Sequence, residues 1–204
     1  MKIPCRRWAL LLAIAINAGL LFPTPLLAAL SASASACSPF EYQGKPINPA
    51  LVRAFEPFVS DDVPPITVKL NVSAAQDSNE YFQKFETSRS GEIGYENGGN
   101  RFAYKLVGCA KGTYVLRTFA SSEGSGIFQS LLLVRMKQEL AYDADGQSRS
   151  LQTFLTVQRR LVLGDRDTAK ASLAGSTLTI SKSRYRDHVL NIDLNEPNAG
   201  DAEP

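Results

Sequence analysis

Two long runs of residues, Ile127–Tyr142 and Leu151–Leu163, constrain the fold of this chain more than any other feature. In the first, Phe128, Leu132, Val134, Met136, Leu140 and Tyr142 share one register, and Gln129, Arg135, Lys137 and Glu139 share the other. In the second, Leu151, Leu155, Val157, Leu161 and Leu163 fall in register. A period of two is that of a β-strand, whose successive side chains point to opposite faces. Asp143-Ala144-Asp145-Gly146 between the runs supplies ordinary turn residues. Two paired strands of this length imply a strongly twisted ribbon or a barrel wall.

The remainder of the chain fits the same class. Ile66, Val68, Leu70 and Val72 alternate with polar residues, and Tyr81, Phe82 and Phe85 begin a strand or a short helix. Residues 92–96 and 101–107 flank Asn97-Gly98-Gly99-Asn100, a strong hairpin signal, because Asn and Gly tolerate the positive φ of tight turns. Residues 113–120 follow the turn Lys111-Gly112, and 177–181 and 189–194 close the set. Gly164–Gly175 reads as a polar connection. One helix is predicted: Asn48 is a good N-cap, Pro49 suits the first helical position, and Leu51, Val52, Phe55 and Phe58 follow at helical spacing. The expectation is an all-β fold, a single antiparallel β-barrel or β-sandwich of about eight strands with a short N-terminal helix.

Residues 1–36 have the layout of a secretory signal peptide, with Lys2, Arg6 and Arg7, then the apolar stretch Trp8–Phe22, then the small residues Ser31–Ala36. Ala34-Ser35-Ala36 marks cleavage after Ala36, with Ala28-Ala29 as an earlier site. The apolar run reaches Leu30 only by crossing Pro23 and Pro25, which argues against a spanning helix of about 20 residues. The predicted organisation is a leader at 1–36, a β-rich domain at 37–194 and a disordered tail at 195–204. Removing the leader leaves 19 basic against 20 acidic residues, a net charge of −1. The net charge of the full chain, only +2, argues against a polybasic nucleic-acid binder.

Of the three cysteines, Cys5 leaves with the leader, so Cys37 and Cys109 are expected to pair in an oxidising compartment. The alternative is lipidation of Cys37, which would anchor the chain to a membrane. The residue three before Cys37 is Ala34, where such lipoprotein signals usually carry Leu. The expected location is therefore periplasmic or secreted, or else a membrane-anchored lipoprotein.

The search for chemistry points away from catalysis. His188 is the single histidine, and on a strand its neighbour Asp187 would face the opposite way, so it reads as a partly buried structural residue. Counting from Asp143, the twelfth position of a calcium loop is Phe154 rather than Glu. No zinc spacing or phosphate-cradling motif is present, so no metal, cofactor or catalytic residue is predicted. Binding function tends to sit on loops of a rigid scaffold. The candidates are therefore Glu123 and Ser125 in Ser121–Gly126, and Asp165 and Arg166 in the loop that begins at Gly164. Arg159 joins them because it interrupts the apolar register between Val157 and Leu161, as a bulge, a barrel mouth or a buried ion pair would require.

Basic residues recur on the expected outer faces: Arg101, Lys105, Arg117, Arg135, Lys137, Arg160, Arg184 and Arg186. Some would line up towards an anionic glycan or lipid. Asn71-Val72-Ser73 fits the N-glycosylation pattern of a eukaryotic secretory pathway. The functional expectation is an exported, non-catalytic domain that is structural or binds a small apolar or anionic ligand. The alternative is an exported hydrolase built from loop carboxylates or Ser.

Overall fold

The computed structural model describes residues 37–56, 64, 66–70, 84–122, 124–142 and 146–196. Residues 1–36, predicted as a leader, together with Asn71-Val72-Ser73, Glu123, Asp143–Asp145 and the chain from residue 197, lie outside the described residues.

The described chain opens with a hairpin, β1 (Glu41–Tyr42) and β2 (Lys45–Pro46). Gln43 and Gly44 both take positive φ, 54° and 72°. That is the twist a two-residue hairpin turn needs. Helix α1 (Pro49–Arg53) follows with the predicted start: Pro49 is in its first turn, and the Asn48 side chain accepts from the Ala50 amide at 2.9 Å.

The body is a seven-stranded antiparallel sheet. Its strands are β3 (Thr67–Lys69), β4 (Glu86–Thr87), β5 (Ile93–Asn97), β6 (Asn100–Ala110), β7 (Thr113–Ser121), β8 (Phe128–Tyr142) and β9 (Arg149–Asp165), in the spatial order β3-β9-β8-β7-β6-β5-β4. The order ends at β3 on one side and β4 on the other, so the sheet is open and the architecture is sandwich-like rather than a barrel. β5 and β6 meet in the predicted hairpin, with Asn97 opposite Asn100 and Gly98 and Gly99 at φ 56° and 78°.

A second sheet has three strands, β10 (Ala171–Ala174), β11 (Thr177–Ile180) and β12 (Leu190–Asp193). β10 corrects the reading of Gly164–Gly175 as mere connection. Its sequence, Ala-Ser-Leu-Ala, carries one large apolar residue, too little for a periodic signal.

Both faces of the large sheet are covered at its centre. Tyr104, Leu116, Leu132, Val134, Leu155 and Val157 pack against Phe40, Ile47, Leu51, Val52 and Phe55 of the N-terminal segment. Val115, Leu131, Leu133 and Leu163 pack against Leu178, Ile180, Ile192 and Leu194, which belong to or adjoin the second sheet. Leu131, Leu132, Leu133 and Val134 are all completely buried.

The single apolar register predicted for the second long run does not hold. Pairing with β8 shifts between Leu133↔Arg159 and Val134↔Val157, leaving Gln158 as the extra residue of a bulge in β9. A second shift leaves Leu163 unpaired. Leu155 and Val157 therefore face the N-terminal layer, while Leu161 and Leu163 face the second sheet. Arg159 sits directly after the first bulge, one of the three arrangements its place in the sequence allowed.

Cys37 is joined to Cys109 in a disulfide with a Cα–Cα distance of 5.9 Å, tying the start of the described chain to β6. The Tyr104 hydroxyl donates to the Ile47 carbonyl at 2.6 Å, and the Tyr114 hydroxyl to the Ser38 carbonyl at 3.0 Å. The N-terminal layer is thus fixed to the sheet by one covalent bond and two buried tyrosines.

Candidate functional site

A groove of about 1130 Å³ runs between the β1–β2 hairpin and the β4–β5 edge of the large sheet. One wall carries Tyr42, Lys45, Pro46 and Asn48, and the other carries Phe85, Glu86, Thr87 and Tyr95. The floor includes Gly94 and Ala103, paired across β5 and β6. A Cβ at Gly94 would lie 2.6 Å from the Ala103 Cβ, so this floor is shaped by a residue without a side chain. The walls are held in place. Arg53 of α1 donates through Nη1 to the Tyr95 hydroxyl at 2.9 Å, and the Tyr104–Ile47 bond fixes the chain between β2 and α1. Of the charges in the groove, Arg101 and Glu92 pair at 3.4 Å.

None of the predicted site residues that the structure describes, Ser125, Arg159, Asp165 and Arg166, lines this groove. Ser125, Asp165 and Arg166 are brought together elsewhere, where the loop before β8 meets the end of β9. Arg166, at φ 48°, donates through Nη2 to the Ser125 carbonyl and lies 3.8 Å from Asp165 through Nη1. Asp165 Oδ1 accepts from the Ile127 amide at 2.7 Å. These side chains stitch two loops to each other. Glu123 is outside the described residues, and Arg159 is in β9, away from this loop pair.

His188 departs from its predicted setting. It lies in the turn before β12 rather than on a strand, its side chain is 69% exposed, and its Nδ1 is 2.9 Å from Asp187 Oδ1. The rule that neighbours point apart fails because the turn lets both side chains swing to one side. This hydrogen bond holds the Asp187 carboxyl below its usual range.

Two buried polar clusters went unseen in the sequence. Glu56, 3% exposed, accepts from the Thr118 hydroxyl at 2.5 Å and the Ser130 hydroxyl at 2.9 Å. Burial raises its carboxyl above the ordinary range, while these two hydrogen bonds and the charge of Arg160 act the other way. In the second cluster Arg117 donates to Gln129 Oε1 through Nε at 2.9 Å and Nη2 at 2.5 Å, and to the carbonyls of Ala169 at 2.6 Å and Asp167 at 2.9 Å. Asp167 itself accepts from the Ala169 amide at 2.5 Å and the Ser183 hydroxyl at 2.8 Å. Arg117 thereby clamps the chain between β9 and β10. The pair Thr118 and Ser130, opposite each other on β7 and β8, was legible as two polar residues in apolar runs. Their carboxylate partner, 62 positions from Thr118, was not.

Among the described residues no three His, Cys, Asp or Glu side chains gather to hold a metal ion. Nor is any helix among them long and apolar enough to cross a membrane. The chain matches no protein-family model, no curated protein and no solved structure.

Proposed function

We propose that the chain is exported and cleaved before Cys37, and that its mature domain is a non-catalytic binding module that takes a small amphipathic ligand in the groove beside β4 and β5. The groove carries this reading. Its volume is at the upper end of small-molecule sites, and its walls mix aromatic rings with a few polar groups, as such sites do. Tyr42, Phe85 and Tyr95 suit an apolar body, and Lys45 and Lys84 suit a polar or anionic end. Export is supported by the leader pattern and by the disulfide, which persists in oxidising compartments. A lipid on Cys37 and a bond to Cys109 compete for one sulfur, so the two arrangements exclude each other.

The test is a thermal-shift panel of fatty acids, aromatic acids and short peptides, run on the mature protein and on Thr87→Trp, which fills the groove. The reading expects a compound that raises Tm in the native protein and not in the filled variant. Compounds that shift both alike would overturn it. So would turnover of an ester or glycoside abolished by Glu86→Gln, which would favour a hydrolase.

A further inference from the structure

The basic residues that looked like a stripe in the sequence are dispersed by the fold, and a different set takes their place. Arg117 is spent on the clamp, Arg101 pairs with Glu92, and the charge of Arg160 acts on Glu56. Of the others, Arg135 and Lys137 lie two apart on β8, and register gives them new company. Lys137 of β8 lies opposite Phe154 of β9, and Phe154 lies opposite Lys69 of β3. In the next row Arg135 lies opposite Thr156, and Thr156 opposite Thr67. Paired residues share a sheet face, so Lys69, Phe154, Lys137 and Arg135 form one patch. Strands are spaced about 4.8 Å apart, which puts the two lysines on strands about 10 Å apart with an aromatic ring between them. Neither lysine has an ion-pair partner among the described residues. The Arg135 guanidinium is steadied by its Nε bond to Thr113 Oγ1 at 2.8 Å. The nearest carboxylate along β8 on this face is Glu139, in the row beyond Lys137.

We propose that this patch is a docking surface for an acidic polysaccharide. The ring explains why a sugar is the better fit: the C–H face of a pyranose packs on the negative face of an aromatic ring, and its acid groups can then reach cations on either side. A bilayer fits less well. The exposed apolar pair of the same ribbon, Leu140 and Leu151 at 64% and 59%, belongs to the opposite face, so a membrane meeting the lysines would find no apolar anchor beside them. The patch is at the β3 side of the sheet and the groove at the β4 side, so either site can fail without the other.

The experiment is affinity electrophoresis of the mature protein in gels containing polygalacturonate, with dextran, phosphatidylglycerol vesicles and single-stranded poly(dT) as comparison arms. Retardation by polygalacturonate that disappears at high salt is expected. Lys69→Glu and Lys137→Glu should each weaken it about tenfold, the loss of one charge-assisted contact. Phe154→Leu should weaken it without changing the salt dependence. Lys105→Glu, an exposed cation of the large sheet outside the patch, should bind as the native protein does. All variants should keep the native far-UV spectrum and Tm. No retardation by polygalacturonate, equal loss in Lys105→Glu, or equal or tighter binding to the vesicles or to poly(dT) would overturn the proposal.

Discussion

Glu56 makes the stability of the fold depend on pH. Its carboxyl is raised in the folded state, so folding binds the proton more tightly than the unfolded chain does. Its contribution is therefore fully favourable below the unfolded carboxyl range, and is lost as pH rises through the folded pKa. Glu56→Gln keeps the shape and removes the ionisation. In urea titrations the variant should match the native protein near pH 4 and gain on it steadily towards pH 8. A constant difference across that range would mean that burial does not govern this carboxyl. Gly94 makes a steric point at the same scale. A methyl group there meets the Ala103 Cβ and the Phe102 carbonyl oxygen, at 2.6 and 2.7 Å, and backbone cannot step aside as a flexible side chain can. Gly94→Ala should cost about 1–3 kcal/mol, as overpacking does, read as a lower urea midpoint; a loss under about 0.5 kcal/mol, the level of an ordinary surface change, would contradict the close approach. Some residues announced such roles in the sequence. Asn48, Pro49 and Gly98-Gly99 act through local backbone geometry, which neighbouring residues alone determine. His188 was misplaced because it falls in the turn before its strand, which begins at Leu190 rather than at residue 189.

At the scale of elements, the N-terminal layer and the second sheet each carry a tie that can be removed singly. The Cys37–Cys109 bond closes a span of 72 residues. Its loss through Cys109→Ser should cost about 4 kcal/mol in the chain-entropy model. Unfolding in urea with and without reductant measures it, and the reductant should have no effect on the variant. Arg117 is the strap of the other layer. Arg117→Met leaves the Gln129 side chain and two carbonyls without their donor, at a cost of about 2–3 kcal/mol. Hydrogen exchange should accelerate in β10–β12 before it does in β6–β8; a uniform increase would show that the strap is not local. The bulge at Gln158 shows why element identity was legible and face assignment was not. Alternation survives on either side of the extra residue, so the run still reads as a strand. The residues after the bulge have nevertheless changed sides, and pairing with β8 alone reveals it. β10 was missed for a related reason: an element that contributes Leu173 and two alanines gains its strand geometry from its neighbour β11.

For the whole molecule, the two-sided burial of the large sheet is the fact that organises the rest. Leu131, Leu132 and Leu133 are consecutive and all fully buried, so alternation between core and solvent breaks down in the first half of β8, which is covered on both faces, while Lys137–Leu140 further along the strand are all exposed. The class of fold follows from the period-two runs, but the number of layers does not, because a short apolar run reads the same on any buried strand. The groove was illegible for a different reason. Its walls come from two segments, the chain around β1–β2 and the chain from Phe85 to Tyr95, brought together by tyrosine hydrogen bonds that leave no periodic trace. The central proposal is that the chain is exported, begins at Cys37 and is closed by its disulfide. Intact-mass analysis tests this directly, on protein recovered from the exported fraction of cells expressing the full 204 residues, with alkylation before and after reduction. The predicted result is a chain starting at Cys37, without acyl mass, that takes up two alkyl groups only after reduction. A chain retaining Met1, a start after Ala29, an acylated Cys37, or two thiols free before reduction would contradict it.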